Sequence, residues 1–332
     1  MRFQKDKLIK AMLKHVFILL LTCLVGVSRA QEYNFAQYYL DKLGISPAFV
    51  SVGDYNELGL AVRSQWPGVD GGFKIYMAEY QQKLPTYSSG VGLRVYGDKG
   101  GQSAFSTTCG DLLYGYDFGI TDKLKCSFGL SAGYIGRIIK EENLVYYSMI
   151  DPATGNRGGV AETVTDDEYR GLTFGTGVAI YTKETMFAIG LHRLANLVLS
   201  GSSNYSPSVI SAVVNHKFKI GGTEHRLEQF IVPTLCYSHS RYADMIMPGV
   251  YYSGYRLLLS LGVRMEKADK MATSLAMGAG FDLGRVELSI GHEMETSKVL
   301  RRTCGSYEVG LKYKFEKSEK NSSGKTILCP AF

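Results

Sequence analysis

Four stretches of this 332-residue chain alternate with a period of two, and the composition of their second face limits what the chain can fold into. In 171–181, Leu172, Phe174, Val178 and Ile180 share one face, opposed by Gly171, Thr173, Gly175, Gly177 and Ala179. In 256–266, Leu257, Leu259, Leu261, Val263 and Met265 oppose Arg256, Ser260, Gly262, Arg264 and Glu266. In 285–295, Val286, Leu288, Ile290 and Met294 oppose Arg285, Glu287, Ser289, Gly291, Glu293 and Glu295. In 306–315, Tyr307, Val309, Leu311, Tyr313 and Phe315 oppose Ser306, Glu308, Gly310, Lys312 and Lys314. Period-two segments are strands, because successive side chains of an extended chain point to opposite sides.

A soluble β-sandwich also alternates, but its polar face meets water and favours Thr, Lys and Ser. Here that face is crowded with Gly, Ala and Ser and carries charges of both signs. Aromatics stand near the ends of the apolar rows (Tyr96, Tyr116, Tyr134, Tyr181, Tyr313, Phe315). Apolar-out, polar-in strands of about ten residues with terminal aromatics are what an outer-membrane barrel requires. In lipid every backbone polar group must be paired, which leaves helices or closed barrels. No segment after residue 30 is a long enough apolar run for a transmembrane helix. The pattern predicts an all-β, antiparallel transmembrane barrel of about 14 strands. They are placed at 56–66, 72–82, 90–98, 102–118, 124–138, 170–182, 186–194, 207–220, 226–238, 243–253, 255–266, 271–282, 285–294 and 303–315. An even count puts both termini on one side, expected to be the periplasm. The longest connection, 139–169, then falls on the outer face, and so do 195–206 and 295–302.

Residues 1–30 combine a Lys-rich start, the apolar run 16–27 and a Ser28-Arg29-Ala30 end, which together read as a cleaved secretory signal peptide. Twelve apolar residues are too few to span a membrane as a helix. Cys23 raises a lipoprotein alternative, which Thr22 before it fits poorly. Six of the 37 basic residues and one of the 31 acidic ones fall in this segment. The remainder is nearly neutral, so nothing favours nucleic-acid binding. Five cysteines follow (Cys109, Cys126, Cys236, Cys304, Cys329), an odd, scattered set without a CxxC pair. They read as apolar fillers, not as a disulfide framework or zinc site.

Two segments lack alternation and are expected outside the barrel on the periplasmic side: 31–55, with Pro47, and the tail 316–332. Ser289 and His292 are three apart on one strand and so point to opposite faces, which excludes them as a catalytic pair. His239 and Asp244 flank an outer loop and read as a solvated pair. Asp166, Asp167 and Glu168 read as a solvated charge run in preference to a Ca²⁺ site. His192, His216, His225 and His292 share no metal-ligand spacing. Gly-Asp-Lys-Gly-Gly at 97–101 has the wrong spacing for a phosphate loop, and Trp66 reads as an interfacial anchor. No catalytic, cofactor or metal site is expected.

Specific residues resemble the PorP/SprF family. Phe35-Ala-Gln37-Tyr38-Tyr39 followed by Ser46-Pro47-Ala48-Phe49 is similar to that family's FSQY…NPA segment, with Ser46 in place of Asn. Gln65-Trp66-Pro-Gly68-Val-Asp-Gly71 resembles its QW-x-G-x-x-G turn. Gly90-Val-Gly92, Asp98-Lys-Gly, Leu124 to Gly129, Asp151-Pro152, Phe174-Gly175-x-Gly177, Ile189-Gly190-Leu191 and the final strand Tyr307–Phe315 follow in the family's order. The resemblance implies an integral outer-membrane barrel of the type IX secretion system of Bacteroidota, linked to gliding motility. It implies a non-enzymatic component, without cofactor, that couples a secreted cargo with a C-terminal targeting domain to a periplasmic lipoprotein ring and its associated subunits. Phe35, Gln37, Tyr38, Pro47, Ala48, Gln65, Trp66, Gly68 and Gly71 are its candidate partner contacts. The alternative is a porin or transporter, whose inward charges Arg256, Arg264, Glu287 and Lys312 would line a channel.

Overall fold

The computed structural model describes residues 35–53, 56–101, 104–140, 167–201, 207–222, 228–241, 243–267, 271–296 and 303–315. The expected signal peptide, nearly all of the 139–169 connection, His225, Asp166, Cys329 and the 316–332 tail lie outside the described residues. Fifteen strands form one antiparallel sheet: β1 (Glu57–Gln65), β2 (Phe73–Leu84), β3 (Ser89–Gly100), β4 (Phe105–Gly119), β5 (Lys125–Ile139), β6 (Asp167–Tyr181), β7 (Thr185–Ser200), β8 (Val209–His216), β9 (Phe218–Gly221), β10 (Gln229–Ser240), β11 (Asp244–Gly254), β12 (Leu257–Lys267), β13 (Met271–Asp282), β14 (Val286–Glu295) and β15 (Ser306–Lys314).

The sheet closes on itself. Strand β1 pairs with β2 on one edge and with β15 on the other, from Glu57↔Lys314 to Gln65↔Ser306. Strands β8 and β9 pair in turn with the same edge of β10, interrupted at Lys217, so they are two pieces of one wall strand. The wall is therefore a closed fourteen-stranded antiparallel barrel. Closure satisfies every ladder without a free edge, which a sheet in lipid requires.

The two faces sort as the alternation predicts. On β1, Leu60 and Val62 are exposed on the outside while Glu57, Ala61 and Arg63 are buried inside. On β15, Tyr307 and Val309 face out, and Glu308, Gly310 and Lys312 face in. Some sequence expectations are corrected. Tyr96 and Tyr181 lie on the inner face, and the Tyr181 hydroxyl donates to Asp117 at 2.7 Å, because their register parity matches the buried rows. Arg256 stands in the turn before β12 with φ of 66°, so it does not line the lumen. Strand β7 runs on to Ser200, six residues beyond its expected end, because it stays paired with β6 up to Arg170↔Ser200.

The largest correction concerns the N-terminal segment. Residues 35–53 do not lie outside the barrel; they coil within its lumen. A 3₁₀ turn (Tyr38–Leu40), a one-turn helix α1 (Lys42–Ile45) and a second 3₁₀ turn (Pro47–Ser51) follow one another. The Asp41 side chain caps α1 by accepting from Gly44 N–H at 3.1 Å, and the Ser46 hydroxyl accepts from Ala48 N–H. Such short turns carry no amphipathic period, which explains why the sequence shows no pattern there. Leu43, Ala48, Phe49, Val50 and Val52 form a cluster with Leu113, Ala179, Ala188 and Val213 of the wall. Phe35, Tyr39 and Leu40 pack on Ala61, Ile75 and Met77. The barrel has an apolar core because its own N-terminal segment supplies eight of the 19 buried residues in these two clusters.

Candidate functional site

The small residues of the inner face are where this segment comes closest to the wall. A methyl group added at Gly129 would stand 2.2 Å from the Ala48 backbone nitrogen, and one at Gly90 2.2 Å from the Val50 carbonyl oxygen. At Gly190 it would meet the Ile45 carbonyl at 2.1 Å. Glycine is required at these points because backbone packs directly on backbone. Hydroxyls of the same face then meet the segment's polar groups. The Ser127 hydroxyl donates to the Ala48 carbonyl at 2.8 Å and lies 2.6 Å from the Ser51 hydroxyl. Ser46 donates to the Ile189 carbonyl at 2.9 Å, and Tyr38 lies 2.8 Å from Thr234 Oγ1. Burial pushes the phenols of Tyr38 and Tyr39 above their usual range, so both stay neutral hydrogen-bonding groups.

Charge pairs complete the fit. Arg94 on β3 grips Asp41 with two bonds, Nε to Oδ1 at 2.7 Å and a terminal nitrogen to Oδ2 at 2.6 Å. Lys42 donates to Glu57 on β1 at 2.7 Å, and both are buried. Glu308 on β15 accepts the backbone N–H groups of Ala36 at 2.6 Å and Gln37 at 2.9 Å while also pairing with Arg63 on β1. Arg63 in turn reaches Glu293 on β14 at 2.6 Å. Nearby Arg264 approaches Glu266 and Glu293 at 3.3 and 3.7 Å. A charge removed from bulk water is tolerated when a partner and hydrogen bonds compensate it. The inward charges thus serve either to bind the N-terminal segment or to neutralise one another.

A polar cavity of about 70 Å³ borders the segment, lined by Asp41, Arg94, Asp111, Thr173, His192 and Ser211 among others. His192 Nε2 lies 3.2 Å from the Ile45 carbonyl there. The nine candidate contact residues fall into two places. Phe35, Gln37, Tyr38, Pro47 and Ala48 belong to the lumenal segment, and Ala48 is fully buried. Gln65, Trp66, Gly68 and Gly71 lie in and beside the β1–β2 connection at the opposite end from the β1 start. There Trp66 Nε1 donates to Glu295, its ring meets Phe73 edge-on, and Gly68 N–H bonds the Thr303 carbonyl. Asp41, Lys42, Arg63 and Arg94 escaped the sequence reading. The available signal was a matched set of opposite charges, Asp41 and Lys42 in the segment against Arg94 and Glu57 facing inward.

His239 and Asp244 do meet, Nδ1 to Oδ1 at 2.5 Å, with the Tyr237 hydroxyl 3.2 Å from the same oxygen. They sit on the outer face of the wall. Ser289 is buried inside, whereas His292 packs on the outward Tyr307, so the two point apart. Glu168 pairs with Arg170, and His216 lies 2.7 Å from Thr185 Oγ1. Among the described residues no group of three or more His, Cys, Asp or Glu is arranged to hold a metal ion.

The fold is shared with solved outer-membrane barrels. The toluene transporter TbuX of Ralstonia pickettii superposes with a TM-score of 0.50 at 12% identity, covering 82% of this chain and 92% of that one. A FadL homologue of Pseudomonas aeruginosa gives 0.47 at 10% identity, covering 82% and 93%. The monoaromatic hydrocarbon channel CymD gives 0.47 at 12%, covering 88% and 98%. No curated protein matches the chain. Residues 27–313 match the family described as type IX secretion system membrane protein PorP/SprF. That match takes in both the lumenal segment and the whole wall, and the chain belongs to the PorP/SprF family of type IX secretion system membrane proteins.

Proposed function

We propose that this protein is a closed outer-membrane scaffold of the type IX secretion machinery, coupling a secreted surface cargo to a periplasmic lipoprotein ring. Family membership supplies the machinery. The observation that carries the choice of scaffold over conduit is the lumen: residues 35–53 fill it, and the wall glycines and ion pairs are fitted to them. A porin of this size keeps a hydrated path lined by solvated charges, whereas here Arg94 holds Asp41 and Lys42 holds Glu57. TbuX is by name a transporter, but its likeness at 12% identity concerns the fold alone. With Phe35 and Tyr38 inside the barrel, docking to the ring falls to the turns and termini at the end where β1 begins and β15 ends. Membership of a family of secretion-system membrane proteins supports a non-enzymatic reading.

The test is affinity purification from detergent-solubilised outer membrane with a tag inserted at 154–160, followed by mass spectrometry. Recovery of a periplasmic ring lipoprotein together with a surface-targeted cargo is the expected result. A barrel that purifies alone, from cells in which the ring is assembled, overturns the scaffold.

A further inference from the structure

Lys74 on β2 and Lys99 on β3 stand directly opposite each other in the antiparallel register. Both are exposed and both point outward, since Tyr76 on β2 and Val95 on β3 share their parity and are exposed outside. Directly opposed side chains on one face have Cβ atoms about 4.5–5.5 Å apart, and like charges so placed destabilise the sheet. Among the described residues neither lysine makes an ion pair. Two of the described carboxylates at this rim are engaged elsewhere, Glu168 with Arg170 and Asp244 with His239. Lys140, exposed just after β5, adds a third cation two strands further round.

The neighbours across the ladders are small and polar. Ser64 on β1 opposes Lys74, and Ser106 on β4 opposes Lys99. Towards the middle of the barrel the same outer face becomes apolar at once, through Tyr76, Val95 and Leu93. A repulsive pair retained at the upper edge of a lipid-facing band, flanked by two hydroxyls, is complementary to an amphiphile with an anionic head. Lysine matches phosphate as a compact point charge.

The geometry points to a binding site for a phosphorylated lipid on the outer wall, in which Lys74 and Lys99 bracket the headgroup phosphate, Ser64 and Ser106 offer hydrogen bonds, and the acyl chain descends over Tyr76 and Val95. The phosphate removes the repulsion between the two ammonium groups, so binding also strengthens the β2–β3 ladder. Simple snorkelling of the lysines into water is the competing account; it demands no bound lipid and no preference for phosphate.

Binding is measured on the full chain purified in a non-ionic detergent, titrated with lipid A, dephosphorylated lipid A, phosphatidylglycerol and inorganic phosphate. Lipid A or phosphatidylglycerol is expected to bind at least about tenfold more tightly to the wild type than to K74Q/K99Q, a difference of about 1.4 kcal/mol. K74R/K99R retains binding, and dephosphorylated lipid A binds no better to the wild type than to the glutamine variant. A stronger response to lipid A assigns the source to an outer-leaflet glycolipid, and an equal response assigns it to lipid phosphate in general. Affinity of K74Q/K99Q within about twofold of wild type overturns the site. So does inorganic phosphate binding as tightly as either lipid. Both variants are first checked for heat-modifiable electrophoretic mobility, which reports a folded barrel.

Discussion

Arg63 joins the last two strands to the first. It reaches Glu293 on β14 and Glu308 on β15, and Glu308 also receives two backbone N–H groups of the lumenal segment. Closure of the wall and retention of the segment therefore share one side chain. Replacing Arg63 with Met strands two buried carboxylates, and breaking a buried pair in this way costs about 3–5 kcal/mol. The expected outcome is a clear drop in the temperature at which the barrel loses its compact mobility on gels, and R63K recovers only part of it. An unchanged transition would show that the cluster contributes nothing to closure. Asp41 is a separate lock. In D41N one of the two oxygens that accept from Arg94 becomes an amide nitrogen that cannot accept, and the remaining bond loses its ionic character, weakening the hold on the segment by about 1.5–3 kcal/mol. Cross-linking between a cysteine pair placed at Ser51 and Ser127, whose hydroxyls lie 2.6 Å apart, falls accordingly, while barrel mobility stays as in the wild type.

At the scale of elements, the lumenal segment behaves as a part fitted to a mould. Its turns are too short to hold their shape alone, because helix nucleation is costly and they have only three to five residues each. The wall orders them. Deleting 35–53 is expected to leave the fourteen strands paired, since every ladder bond is made between strands, and to convert a silent barrel into one that conducts ions in planar bilayers. A deletion variant that stays silent would mean that something other than this segment closes the lumen. Gly129→Leu makes the same point with one residue: the new side chain occupies the place of the Ala48 backbone, so the segment leaves and conductance rises. This is also where sequence reading and structure diverge most. The Gly, Ala and Ser on the inner face were legible as an anomaly, and they argued correctly for a barrel. Their reason was not legible, because glycine spacing records how close something approaches and not what approaches. Aromatic type near a strand end places Tyr96 and Tyr181 at the rim, yet the parity of the register turns them inward.

For the whole molecule, the even strand count places the start of β1 and the end of β15 at one end. The longest connection, between β5 and β6, emerges at the other. If that end is the cell surface, an epitope inserted at 154–160 binds antibody on intact cells, whereas one appended after Phe332 binds only after the outer membrane is permeabilised. The reverse pattern would invert the barrel, and the docking surfaces with it. The sequence by itself determined the class of fold, the number of wall strands, which face meets lipid on the four clearly alternating strands, and the family. All of these follow from a period of two and from motifs in order, which are local properties of the chain. Only the tertiary structure decided that the non-alternating N-terminal segment lies within the lumen, that Arg94 and Glu57 hold it, and that Lys74 faces Lys99. Each of these depends on which strands become neighbours when the sheet closes, and closure joins residues as far apart as Arg63 and Glu308.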